Sequence, residues 1–401
     1  MAASSGPWHS FKPDSWRGAP GFFRVAQTHE GKWWCIDPAN TPCHIRAVNG
    51  VRAAGDAGAD PVLRLRAWGF NALGADSDDA LSAEGLPVVS AVGFAEFCAI
   101  RAKGVRLPDV FDPGWKAAAE ERAGDVCAAS ARRVELLGWL TDDDLAWGGI
   151  IGTSTPALLQ ICLSLEPSFA AYHAAWEFVL APYRGDVTRL GKAWGWPLRN
   201  KEEVRELTRS DQGITSAGFA RDQWRWTHEF AQRYFSVTAA AIRRHDAQHL
   251  ILGAREVTSD AASGGVWLSA CVFPSVDIAW VRPSDLKTWR EGPALVGQFS
   301  WVPESLIPPP PRARRAGVTA LERMLRQGRA SFRTMAANPL VVGYAWESWA
   351  DRPGEQPPFG HGLVHDNYSE AREHTELLTY LNGEWMGLEK GERAETLRVE
   401  G

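Results

Sequence analysis

Asp142, Asp143 and Asp144 stand side by side beyond the apolar run Leu136–Leu140, with Trp147 close behind them. Neighbouring carboxyl groups are equipment for acid and base work on an acetal. Cleavage of a glycosidic bond uses one carboxylic acid to protonate the leaving oxygen. A second carboxylate either attacks from about 5–5.5 Å away or activates water from about 6.5–9.5 Å away. The triplet also has a plainer reading, as the cap of a following helix. A second apolar run, Pro293–Ser300, ends near a polar side chain of another kind, the neutral amide Gln298.

Apolar runs of this length read as strands buried on both faces, and parallel barrels gather their chemistry at the outgoing ends of such strands. Eight candidates recur: His44–Val51, Phe70–Asp76, Pro87–Phe94, Leu136–Leu145, His249–Arg255, Val276–Val281, Pro293–Ser300 and Val341–Trp349. Between them lie stretches with helical spacing, such as Trp115–Ala131 and Val318–Ala336. Strand and helix therefore alternate, and eight strands close one (β/α)8 TIM barrel, the α/β fold class expected here. Residues 1–40 form an N-terminal segment in which Phe22–Ala26 and Lys32–Asp37 read as a β-hairpin under the barrel floor. Residues 41–385 carry the barrel, and 386–401 a charged tail expected to fray. Within the barrel, 148–248 is too long for one crossover and predicts a helical insertion over the mouth. Pro308–Pro311 predicts a stiff turn after the seventh strand.

The 401 residues, 45% of them hydrophobic, suffice for a large core. A net charge of −5 with no basic block speaks against nucleic acid and anionic membrane as partners. Six cysteines are scattered without a Cys-x-x-Cys pair, which argues against zinc and against a disulfide scaffold, although Cys35 and Cys43 flank a turn and could meet across it. His245 and His249 straddle a helix end and a strand start, a poor metal pair. There is no phosphate-cradling glycine loop, dinucleotide fingerprint or nucleophile elbow, so no cofactor is expected. Lacking a signal segment and any long apolar span, the chain reads as cytoplasmic, and a secreted form without its signal would read the same way.

Several stretches resemble a known family in their order and spacing. They include Gly31–Pro38 with Ala47–Val51, Trp68–Gly74, Asp109–Pro113, Gly138–Gly148, Leu190–Trp194, His249–Arg255 and Val342–Asp351. Together, from about Phe22 to Asn382, they resemble the clan A glycoside hydrolases, and within them the agarases and their β-galactosidase-like relatives. The resemblance implies a (β/α)8 barrel, a β-linked oligosaccharide or polysaccharide as ligand, and two catalytic glutamates. It puts Asp144 where the family has its acid/base glutamate and Asp143 where an asparagine holds the sugar's 2-hydroxyl. Gln298 falls where the family has its nucleophile. Asn49 and Arg255 resemble polar groups lining the sugar subsite, with partnership to a buried carboxylate as the other reading, and Trp346 resembles a sugar-stacking residue.

Both catalytic positions depart from the pattern. Aspartate is one methylene shorter than glutamate, and catalytic groups tolerate little misplacement. Glutamine is not a competent attacking group, although it can hold a water or a hydroxyl. Three explanations stay open: a deliberate Glu-to-Gln exchange, a base supplied by Glu347, Asp351, Asp76 or Glu256, or a barrel that binds glycans without cleaving them. Among 20 tryptophans, Trp147, Trp194, Trp196, Trp280, Trp301, Trp346 and Trp349 fall at strand ends or in mouth loops. Flat aromatic faces there would stack on sugar rings, the alternative being that they are core.

Overall fold

The computed structural model of the chain describes residues 10–53, 60–97, 99–102, 104–143, 145–149, 155–209, 214–255, 275–302, 319–355 and 360–398. Eight strands form one parallel sheet: β1 Ile45–Val48, β2 Ala72–Leu73, β3 Val88–Ala91, β4 Leu136–Leu140, β5 Leu250–Gly253, β6 Ala279–Val281, β7 Ala294–Phe299 and β8 Val341–Trp346. Each falls inside the corresponding apolar run of the sequence. Their order across the sheet is 5-4-3-2-1-8-7-6. The remaining edge is stitched just ahead of β6, where the Asp277 and Ile278 N–H groups donate to Ile251 O at 2.8 and 3.2 Å. The result is a nearly closed (β/α)8 barrel with an N-terminal antiparallel hairpin.

Alternation along the strands decides what lies inside. Ala47, Val89, Leu137, Leu252, Ile278 and Leu295 pack together in the interior. Val48, Leu136, Val296 and Tyr344 point outward to the helices. Both faces are apolar, which is why the runs show no polar alternation. From below, the hairpin Arg24–Gln27 and Trp33–Ile36 inserts Val25, Trp33 and Cys35 into the interior cluster. Cys35 and Cys43 are register partners across an antiparallel pair, and both are free thiols.

Helix α1, Pro113–Cys127, starts at Asp112, whose carboxylate accepts from Gly114 N–H, with proline at its first position. The insertion is helical. Leu158–Ser164, Ala170–Leu180, Val187–Trp194 and Lys201–Thr208 precede α2, Ala217–His245, which packs along α1 and returns the chain to β5. Crossover helices begin at the level where strands end, so the short helices gathered near the start of α2 stand at the height of the mouth. Asp109 ties them to the loop after β3 by accepting from Ala171 N–H at 3.0 Å. Helix α3, Ala320–Ala336, opens with a capping box between Thr319 and Glu322.

The tail departs from expectation. Helix α4 runs unbroken from Arg372 to Arg398, and Glu389, within the stretch expected to fray, is 2% exposed. Its carboxylate accepts from Arg46 Nη1 at 2.7 Å and lies 3.0 Å from His44 Nδ1. The His44 ring sits between Trp34 and Trp385. Burial pushes the Glu389 carboxyl up, but the His44 hydrogen bond and the Arg46 charge outweigh it and hold it below the usual range. A buried cation stripped of its counter-charge is strongly destabilising, so the helix has a physical reason to continue past Trp385.

Candidate active site

β4 leads into Thr141 and Asp142 at the mouth end of the barrel, and both are wholly buried. Asp142 Oδ1 accepts from Ala95 N–H at 2.6 Å, and Oδ2 meets the Tyr234 hydroxyl reaching in from α2. That hydroxyl lies 3.0 Å from Thr141 Oγ1, which in turn donates to Gly253 O at 3.2 Å. Burial pushes the Asp142 carboxyl up to about 7, against the opposing pull of the Tyr234 and Ala95 hydrogen bonds and the charges of Arg106 and Arg122. When the acid is protonated, the donors line up in one direction, from Asp142 through Tyr234 and Thr141 to the Gly253 carbonyl. The Asp142–Tyr234 pair is missed by sequence reading. The available signal is a tyrosine on the apolar face of a long helix, whose hydroxyl needs a buried partner.

Asp143 pairs with Arg255 beyond β5, with Nη2 3.0 Å from Oδ2. The Arg255 N–H donates to Asp142 O at 3.0 Å, so side chain and backbone together join the ends of β4 and β5. Asn49, 2% exposed beyond β1, donates to Gly297 O at 2.8 Å and accepts from Ala75 N–H at 3.0 Å. Its partners are backbone groups, and it straps β1 to the segments of β2 and β7.

Register explains the rest of the mouth. Val296 pairs with Tyr344 but Phe299 with Trp346, so β7 carries a bulge at Gly297–Gln298. Only glycine fits at 297, because a Cβ there would lie 1.6 Å from Trp280 Nε1. Trp280, 6% exposed, therefore lies across β7 as the top of the interior plug. Gln298 is half-buried, and since the next residue, Phe299, belongs to the outer layer, alternation turns Gln298 toward the mouth. Beyond β8, Glu347 N–H donates to Phe299 O at 3.0 Å. Tyr344 and Trp346 point outward and Ala345 inward, so Glu347 shares the inward face with Gln298. Its carboxylate forms an ion pair with Arg352.

Other expected site residues are not brought to the mouth. Trp147, Trp301 and Trp346 are 2%, 4% and 0% exposed and offer no free face for a sugar; they are core. Trp147 stands edge-on to Phe230 and Tyr234. Trp301 and Trp346 pack on each other at 4.6 Å, with Nε1 donating to His374 Nδ1 and His361 O respectively. The physical reason is parity, since all three fall on the side of the chain that meets the helix layer. Trp194 and Trp349 are buried as well, while Trp196 is exposed on the insertion. Asp351 is spent on structure: it accepts from Gly362 N–H at 2.9 Å and lies 2.7 Å from His365 Nδ1. Asp76 is exposed and paired with Arg52. Asp144, Glu256 and Pro308–Pro311 lie outside the described residues.

Among solved structures, the chain matches an exo-β-agarase over 92% of its own length and 66% of that chain, with a TM-score of 0.65 and 16% identity. A second agarase matches over 97% of this chain and 68% of its own, with a TM-score of 0.65 and 14% identity. The fold is that of the agarases. This agarase-like barrel also resembles a β-galactosidase from the psychrophilic Marinomonas ef1, covering 88% of this chain and 61% of that one, at a TM-score of 0.55 and 14% identity. In sequence, β-agarase A from Vibrio sp. (strain JT0107) is 25% identical over 265 residues, 59% of this chain and 26% of that protein. The agarase-like barrel thus spans about a quarter of the length of the curated relative it matches. No family model matches the chain. A shared fold carries no activity with it, so chemistry has to be argued from the site.

Proposed function

We propose that the agarase-like barrel takes a β-linked, galactan-type polysaccharide at its mouth, with Asp144 as the acid at the end of β4 and Gln298 as an amide that holds a hydroxyl or water. The observation that carries this reading is the gathering of Gln298 and Glu347 on one inward face above Trp280, with Asp143 and Arg255 joined beyond β4 and β5. Neutral sugars are held by such convergent polar groups in a concave site. A second reading, binding without cleavage, is favoured by one specific fact: Gln298 is neutral where a retaining glycosidase needs a carboxylate.

Affinity electrophoresis through gels containing soluble agar polysaccharide tests binding, and release of reducing ends from agaro-oligosaccharides tests cleavage. The expected result is retarded migration that Arg255→Ala weakens. Migration unaffected by the polysaccharide, with no reducing ends released, would overturn both readings. Retardation without release, changed to release by Gln298→Glu, would select the binding form.

A further inference from the structure

The four carboxylates named as replacement bases are separated by their surroundings. Asp351 is consumed by Gly362 N–H and His365, and Asp76 is exposed with Arg52. Glu256 lies outside the described residues. Glu347 alone among the described three continues a barrel strand on its inward face, next to the strand that carries Gln298. Standard strand spacing puts the two backbones on the order of 5 Å apart across the sheet and about two residues apart along it, close enough for one water to touch both side chains. The Glu347 side chain keeps 14% of its surface exposed, and its partner Arg352 is half-exposed at 53%. Arginine favours the charged form of a carboxylate and still leaves lone pairs for another donor.

We infer that Glu347 is the catalytic base of a single-displacement, inverting hydrolysis, with Gln298 steering the water. The inference rests on the polysaccharide reading above. Ring position supports inversion: in the order 5-4-3-2-1-8-7-6, β8 stands four strands from β4 either way round, whereas β7 stands three. A carboxylate moved from β7 to β8 is further from an acid on β4, and inverting pairs are the more widely separated. In the step itself, Glu347 takes a proton from the water while the water oxygen bonds to the anomeric carbon. The glycosidic C–O bond breaks with its electron pair going to the leaving oxygen, which takes the proton of the β4 acid. Glu347 ends protonated and the acid ionised, and exchange with bulk water resets both.

The test uses the full chain with agaro-oligosaccharides, following the configuration of the first-formed product by NMR. Inversion at the anomeric carbon is expected. Glu347→Gln should lower kcat by roughly 10²–10⁴-fold with oligosaccharide affinity unchanged. Glu347→Ala given azide and an aryl β-galactoside should regain turnover and yield the α-glycosyl azide, which a variant that merely failed to fold cannot do. Retention of configuration, or cleavage by Glu347→Gln at the native rate, overturns the inference. So does a native chain that binds but releases nothing, an outcome that leaves the polysaccharide reading standing; a chain that neither binds nor cleaves removes both.

Discussion

Replacing Asp142 by asparagine removes a proton-binding site while keeping its shape. The folded carboxyl titrates at about 7, against about 3.9 for an aspartate in an unfolded chain. Between those values the native state holds a proton that the unfolded state has lost. The associated stability is complete below about pH 4 and drains away as pH rises toward 7. About three pH units at 1.36 kcal/mol each amount to roughly 4 kcal/mol. In Asp142→Asn the amide oxygen still accepts from Ala95 N–H, and the NH2 group donates to Tyr234 in place of the acid's proton, so the chain of donors to Gly253 survives. The variant has nothing to lose as pH rises. Thermal unfolding of both proteins at steps from pH 4 to pH 8 reads the effect directly, because every other carboxylate is common to the two and cancels. The Tm of the variant relative to the native chain should climb with pH by roughly 5 °C, taking an unfolding entropy near 2 cal/mol/K per residue over the 401 residues. A difference that stays flat across this range would refute the buried, neutral Asp142.

Gly297→Ala should destabilise the barrel by about 1–3 kcal/mol, since its Cβ has to displace the Trp280 indole. Chemical denaturation measures this loss, and pairing it with Trp280→Leu should restore part of it. Glu389→Ala strands His44 and Arg46 beside the floor and should cost about 3–5 kcal/mol in urea unfolding, far more than an exposed tail residue would.

The barrel was readable because its strands are buried on both faces, so eight apolar runs stand out against helical spacing. The site was legible only in part, and parity explains the division. Trp346 and Glu347 are adjacent in sequence, yet the tryptophan goes into the helix layer and the glutamate toward the mouth. A bulge in β7 and a register shift between β7 and β8 set that phase, and neither is visible in composition or spacing. Glu389 was hidden for a different reason. Its neighbours are charged, and its burial depends on partners more than three hundred residues away. Asp142 sits in a triplet of identical residues whose members part company only when α2 and the loop after β3 close around the first.

The contact between Glu389 and the start of β1 also bears on the order in which the chain is made. His44 and Arg46 leave the ribosome early, but the carboxylate that neutralises them belongs to the last helix. Until that helix arrives, the first strand carries an unanswered positive charge at a surface destined for burial. A nascent barrel therefore lacks the seal for its own floor, and commitment to the native state comes after synthesis rather than during it. The same latch that stabilises the finished protein makes its unfinished forms dependent on remaining open.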